Sequence, residues 1–256
     1  MKGATDDRAK GAGTSSTARP LPKRFYATVA VAPPDATVAA LRILLDGKTM
    51  RTPAKAVLAV PTRALAEAIA AEWEAQGAHI DPAAMPLTRL VNSGLDGVRG
   101  REGEVRGDIA KYAASDLVCY RATEPVALAL RQAELWDPIL AWSRKTLGVS
   151  FVLAEGIMPV AQPPAARAAV SRALAGYDAL ALTALHVMTT LTGSALLALA
   201  HARGRLGGEE AWVAAHVDED WQIGRWGEDA EAAARRQRRR LEMQAASRLL
   251  ALLRVA

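Results

Sequence analysis

The chain has 256 residues, 51% of them hydrophobic and 23% charged, with 32 Lys and Arg against 27 Asp and Glu. That balance excludes a disordered or collagen-like chain and supplies a core for one large domain or two small ones, since domains usually run to about 100–150 residues. A single cysteine, Cys119, excludes an intramolecular disulfide framework and any CxxC zinc or redox motif, which fits a reducing compartment.

In chain order, residues 1–23 contain Gly3, Gly11, Gly13, Ser15, Ser16 and Pro20 without an apolar run, and read as a disordered tail. No secretory signal is present, and Asp6 and Asp7 speak against a mitochondrial transit peptide. From Arg24 to Pro61 the pattern is β-like: Leu41 to Leu45 reaches the turn pair Asp46-Gly47, Lys48 to Thr52 returns, and Val57 to Val60 reads as a further strand. Thr62 then caps a helix with Leu65, Ile69 and Trp73 on one stripe and Gly77 at its end. Leu87, Leu90, Val91 and Leu95 repeat at helical spacing, as do Val105, Ile109, Tyr112 and Leu117. Beyond residue 125 the chain reads as nearly all helical, apart from Gly148 to Pro159, where Val149, Phe151 and Leu153 share one face as in a short strand, and a new helix opens at Pro163-Pro164. Residues 179–200 carry no charge, but Thr183, His186, Thr189, Thr190, Thr192, Gly193 and Ser194 make them too polar for a lone membrane span, so a buried helix of a bundle is expected. The fold class is therefore α+β: a small β-rich N-terminal domain with one or more helices (residues 24–100) followed by a mainly α-helical domain (residues 101–256).

The net charge of +5 invites a nucleic-acid reading, but the excess is local. Residues 235–240 read Arg-Arg-Gln-Arg-Arg-Arg, and without those five cations the 32 basic residues fall to 27, equal to the acidic ones. A nucleic-acid binder spreads its basic face to follow repeating phosphates, whereas a run within a helical stretch is ordinarily a solvated face.

Most catalytic signatures are missing: the sequence has no GxxxxGK[ST] loop, no GxGxxG after a strand, no GxSxG elbow and no HExxH. His79, His186, His201 and His216 lack ligand spacing, and Cys119 lies in an apolar stretch. No catalytic residue, metal or cofactor is expected. One cluster is unusual: Asp-Glu-Asp-Trp-Gln-Ile-Gly-Arg-Trp-Gly-Glu-Asp-Ala-Glu at 218–231 packs six carboxylates and two tryptophans into fourteen positions. Tryptophans beside acids suit a protein-recognition patch, in which the ring supplies contact area and the rim charge selects the partner. The plainer reading makes Trp221 and Trp226 core residues and uses the acids to favour a following helix N-terminus.

Several short motifs resemble the assembly chaperones of the F-type ATP synthase that hold its free alpha subunit. These are Arg24-Phe25-Tyr26, Leu45-Asp46-Gly47-Lys48 with Thr52-Pro53, Glu72-Trp73 with Gln76, and Met85-Pro86-Leu87-Thr88. Asp116 to Arg121, Trp136-Asp137-Pro138, Leu191-Thr192-Gly193-Ser194, Trp221-Gln222 and Trp226-Gly227-Glu228 follow in the family's order. The resemblance implies a chaperone rather than an enzyme, acting without ATP and holding the unassembled alpha subunit until the beta subunit displaces it. It implies no nucleic acid, no small-molecule substrate and no membrane insertion. With no transit peptide, the chain resembles a bacterial, cytoplasmic member; organellar relatives work in the matrix. The family's functional acids fall here on Glu219 and Glu228, with Asp218 and Glu231 as alternatives, and Trp221, Gln222 and Trp226 complete the expected partner-binding set. Two rival classes rest on single features: a basic nucleic-acid-associated factor on Arg235 to Arg240, and a carboxylate- or metal-dependent hydrolase on residues 218–231. From the missing phosphate-binding loop, calorimetric titration of ATP into the purified chain is expected to show no binding at micromolar concentration, and a micromolar isotherm would refute an ATP-independent mechanism.

Overall fold

In the computed structural model, which describes residues 20–156 and 160–254, the N-terminal part is a four-stranded antiparallel sheet. Its strands are β1 (Val29–Ala32), β2 (Leu41–Leu45), β3 (Lys48–Thr49) and β4 (Ala59–Val60), with β2 paired to the other three. Alternation in β2 sets the faces: Leu41, Ile43 and Leu45 are buried while Arg42 and Leu44 are only partly covered. The Asp46-Gly47 pair makes the expected tight turn, and the Asp46 carboxylate accepts amide hydrogens from Ala27 (3.0 Å) and Thr28 (2.9 Å). The return strands are shorter than expected because a turn over Thr52 to Ala56, with Lys55 at φ 68, takes up residues that a longer hairpin would pair. Most of the expected tail, residues 1–19, lies outside the described residues, but Pro22 and Arg24 already pair with the 78–80 segment.

Helix α1 (Arg63–Glu74) covers the inner face of this sheet with Leu65, Ala66 and Ile69, all fully buried. Thr62 caps it as expected, accepting from the Leu65 amide at 3.3 Å, and its hydroxyl donates to the Leu252 carbonyl (2.8 Å), 190 residues away. The helix stops at Glu74, before Gly77, because Gln76 turns back: its side-chain amide donates to the Glu72 carbonyl and its oxygen accepts from the Asp81 amide.

Helix α2 (Pro86–Ser93) begins on a carboxylate borrowed from α1. Glu72 accepts from the Leu87 and Thr88 amides, both at 2.8 Å, and from the Thr88 hydroxyl at 2.7 Å. That satisfies amides a helix cannot pair internally and sets negative charge at its positive end. Helix α3 (Glu102–Lys111) leads to short turns at Tyr112–Ala114 and Leu117–Cys119 and to strand β5 (Tyr120–Arg121). Helix α4 (Val126–Leu147) follows, with Trp136 fully buried and its indole donating to the Ala214 carbonyl at 2.7 Å. The expected strand over 149–153 is displaced: strand β6 (Ala154–Glu155) pairs parallel with β5, and the Gln162 side chain brackets the Val152 backbone instead. Of the three residues expected on one face, Val149 is buried, Phe151 half-buried and Leu153 exposed.

Helix α5 (Pro164–Leu174) starts at the Pro163-Pro164 pair. The uncharged segment 179–200 is buried as expected but is two helices, α6 (Ala179–Thr192) and α7 (Ala195–Ala202). Gly193 stands between them at φ 67, a conformation that carries little penalty only for glycine, and Ser194 caps α7 by accepting from the Leu197 amide. Every residue of α7 is buried. Among the described residues no helix is long and apolar enough to cross a membrane. Helices α8 (Gly208–Ala215), α9 (Val217–Trp226) and α10 (Ala230–Arg254) complete the helical part, α10 packing along α6, α2 and α1. Buried side chains from Tyr26 to Leu250 form one contiguous cluster, so the core runs unbroken past residue 100.

The Asp116 carboxylate lies at the α6–α7 junction, fully buried, accepting from the Ser194 hydroxyl (2.5 Å) and the amides of Leu196 (3.0 Å) and Val118 (3.3 Å). Burial pushes it up to about 6, against the pull of those hydrogen bonds. The unfolded value is near 4, so the folded state holds the proton more tightly, and this group removes stability as pH rises from about 4 to about 6 and nothing further above that. Asp116→Asn does not titrate. Urea denaturation of both proteins is therefore expected to show the wild type losing on the order of 2–3 kcal/mol relative to the variant across that window. A pH-independent difference would contradict this assignment.

Candidate partner-binding site

The acidic, tryptophan-bearing segment forms α9 and the turn into α10. Asp218, Glu219 and Asp220 occupy the first turn of α9 and Arg225 the last, the order the helix dipole favours. Gly227 ends the helix at φ 80 and ψ 177, a region open almost only to glycine, and directs the chain into α10. Asp229 receives that helix, accepting from the amides of Glu231 and Ala232 at 2.9 Å each; these bonds, the Ala232 amide foremost, hold its carboxyl below its ordinary range.

The carboxylates divide rather than converge. Asp218 faces α4 and accepts from the Gln132 side chain at 2.7 Å, while the Gln132 oxygen accepts from the Ala122 amide. Asp220 pairs with Arg236 of α10, whose Nε lies 3.9 Å from Glu219. The Arg236 side chain is only 18% exposed and its guanidinium stands 6.0 Å from the centre of the Trp212 ring. Trp212 in turn stacks on His216, ring centres 3.6 Å apart. Burial holds the His216 imidazole below its ordinary range although its Nδ1–H donates to the Trp212 carbonyl, so Arg236 and not His216 supplies the cation that balances this turn. Glu231 pairs with Arg235 one turn along α10, and Glu228 is exposed in the connecting turn.

The C-terminal half of α9 is largely exposed. Trp226 is 77% exposed, and Gln222 lies beside it in solvent. Trp221 is half-buried under the Arg225 guanidinium, 4.8 Å from its ring, and the two join Arg131 and Asp220 around a cavity of about 290 Å³ between α4 and α9. On α4, Val126 and Leu130, one turn apart, are each 61% exposed. The expected residues thus separate: Trp226, Gln222, Glu228 and Glu231 are exposed, whereas Asp218, Glu219 and Trp221 are partly covered by neighbouring side chains. Trp226 is not a core residue. Sequence reasoning missed Gln132, because its relation to α9 exists only through a contact 86 residues apart.

The basic run also loses its continuity. Arg235, Arg236 and Arg240 pair with Glu231, Asp220 and Glu209, and Arg239 donates to the Leu191 carbonyl at 2.9 Å, so four of the five cations bind groups within the chain. The six carboxylates of 218–231 surround no common point, as a carboxylate-driven hydrolase would require. Among the described residues no three or more His, Cys, Asp or Glu are grouped to hold a metal ion.

Arg236 and Arg235 differ in what their loss exposes. Truncating Arg236 leaves two carboxylates adjacent and an unfilled place over Trp212, so Arg236→Ala is expected to lower stability by about 1–3 kcal/mol. Arg235→Ala removes an exposed pair within one helix and is expected to cost less than about 0.5 kcal/mol. Equal effects in urea denaturation would contradict the inward role of Arg236.

Comparison with known proteins gives this arrangement its context. The family model described as ATP12 chaperone protein matches residues 23–144. A solved candidate chaperone from Agrobacterium tumefaciens is 49% identical, with a TM-score of 0.87 over 93% of this chain and 88% of its own. Atp12 from Paracoccus denitrificans is 39% identical, with a TM-score of 0.85 over 91% of this chain and 99% of its own. An aspartate-to-lysine variant of the same Paracoccus protein matches at 39% identity and a TM-score of 0.85, over 91% of this chain and 98% of its own. Agreement in fold and sequence over nearly the full length of both chains places this protein in the ATP12 chaperone family.

Proposed function

We propose that the chain is a holding chaperone for assembly of the F-type ATP synthase catalytic sector, keeping the unassembled alpha subunit in the bacterial cytoplasm until the beta subunit displaces it. Membership of the ATP12 family supports the chaperone role, and the motif resemblance supports the choice of client. One observation carries the site: a tryptophan 77% exposed at the end of α9, flanked by carboxylates on α9 and its following turn. An isolated subunit exposes apolar surface that will later be buried in the assembly, and such surface self-associates unless covered. Trp226 offers a large, rigid contact, Val126 and Leu130 add exposed apolar surface on α4, and Glu228, Glu231 and Glu219 set a negative rim. Asp218 acts behind them by tying α9 to α4, and Trp221 with Gln222 lines the approach. No step of holding consumes ATP, a cofactor or a small substrate, so release follows from competition by the next subunit.

Binding and folding separate on this surface. Trp226→Ala is expected to weaken capture of purified alpha subunit by about 10-fold or more, the effect of removing an exposed aromatic anchor. Its stability should shift by less than about 0.5 kcal/mol because the ring is exposed. Glu228→Lys is expected to weaken binding without loss of stability. Glu219→Lys should weaken binding and also lower the melting temperature, since the new cation faces Arg236. Glu67→Lys on α1 serves as the control. Normal capture by Trp226→Ala and both helical-domain charge reversals, measured by light scattering and surface binding, would remove this surface from the mechanism.

A further inference from the structure

A second surface lies on the seam between α2 and α10, lined by none of the residues that wall the α9 cavity. Two cavities of about 550 Å³ and 320 Å³ adjoin there and share Pro86, Arg89, Glu242 and Ala245. The floor is apolar, made by Pro86 and Leu90 of α2, Val187 of α6, and Leu241 and Ala245 of α10. Leu241 is 52% exposed although a leucine gains from burial, and Arg238, Leu241, Ala245 and Arg248 recur at the spacing of one helical face.

The rim is cationic. Arg89, Arg238 and Arg248 face it against one acid, Glu242, which approaches only Arg89, at 4.0 Å. Arg238 is the member of the 235–240 run that the α9 and α8 contacts leave over: among the described residues neither it nor Arg248 makes an ion pair or side-chain hydrogen bond. The basic run thus ties α10 to α9, α6 and α8 through Arg236, Arg239 and Arg240, keeps Arg235 within its own helix, and leaves Arg238 on this seam. Neither cavity is lined by an aromatic ring, the platform on which single-stranded nucleic acids stack their bases, whereas an apolar floor between two helices with a charged rim is the form of a groove that receives a helix.

We propose that the α2–α10 seam docks an acidic amphipathic helix of a partner protein, its apolar stripe against Leu241, Leu90 and Pro86 and its carboxylates against Arg89, Arg238 and Arg248. The proposal does not depend on the identity of the client held at α9, and its test uses no client. A fluorescein-labelled helical peptide of about 14 residues, leucines on one face and glutamates on its flanks, is titrated into the full chain by fluorescence anisotropy, beside a counterpart with lysine flanks. The glutamate peptide is expected to bind at micromolar concentration and the lysine peptide at least about 10-fold more weakly. Arg238→Glu with Arg248→Glu should reverse that order, so that the lysine peptide binds the variant better. Leu241→Ser should weaken the glutamate peptide several-fold with an unchanged melting temperature, since all three positions are exposed. Absence of glutamate-peptide binding, equal binding of the two peptides, or no reversal in the double variant would overturn the proposal. A single-stranded oligonucleotide that binds through Arg238 and Arg248 while the acidic peptide does not would assign the rim to phosphate and overturn it equally.

Discussion

The structure depends on carboxylates that hold backbone amides far away in sequence. Asp116 is the central case: fully buried, it accepts from Ser194 and Leu196 and fixes the start of α7, the helix with no exposed residue. Glu72 does the same for α2, and Asp46 ties the hairpin turn to the entering strand. Asp96 accepts from the Thr52 hydroxyl and the Ala54 amide, joining the turn after α2 to the sheet. Hydrophobic burial is non-directional and would tolerate many arrangements of these short elements. An acceptor that must meet two or three donors at once permits few, and leaving those donors unmet in a dry interior costs more than the bonds return in net stability.

The same chemistry divides the acidic segment into an inward and an outward part. Asp218 and Asp220 are held by Gln132 and Arg236, so α9 is fixed against α4 and α10 before any partner arrives. Trp226 is then exposed at the end of a helix already held in place, and under the proposed role a preformed contact loses less conformational freedom on binding. Glu219 stands between the two parts, near enough to Arg236 to feel it and still partly exposed.

Much of this was legible in the sequence, and the reason differs by element. The Thr62 cap, the Asp46-Gly47 turn and the new helix at Pro164 are local signals, set by residues within a turn of one another, and they held. The division of 179–200 into two helices was missed although Gly193-Ser194 is a strong stop-and-start pair, because hydrophobicity is continuous across it. The short strand read within Gly148 to Pro159 lies at Ala154–Glu155 and not at Val149, Phe151 and Leu153, because alternation over so few residues fits any extended segment and the partner strand β5 lies some thirty residues away. At the candidate site, residue type identified the segment, but only the fold shows which acids face inward. The short motifs that carry the family resemblance also acquire a common meaning. Glu72 with Leu87-Thr88, and Asp116 with Gly193-Ser194, are two ends of single contacts.

Helix α10 leaves the ribosome after every element it packs against. Met243, Ala246, Leu249 and Leu250 close the core over α6, α2 and α1, and the Leu252 carbonyl receives the Thr62 hydroxyl at the far end of the sheet domain. Until that helix arrives, the parts of α1, α2 and α6 that pack against α10 have no cover, so the nascent chain is itself in the condition of an unassembled subunit. A finished core therefore comes into being only in that step of synthesis. A chain interrupted before residue 243 would be an aggregation hazard rather than a weaker chaperone.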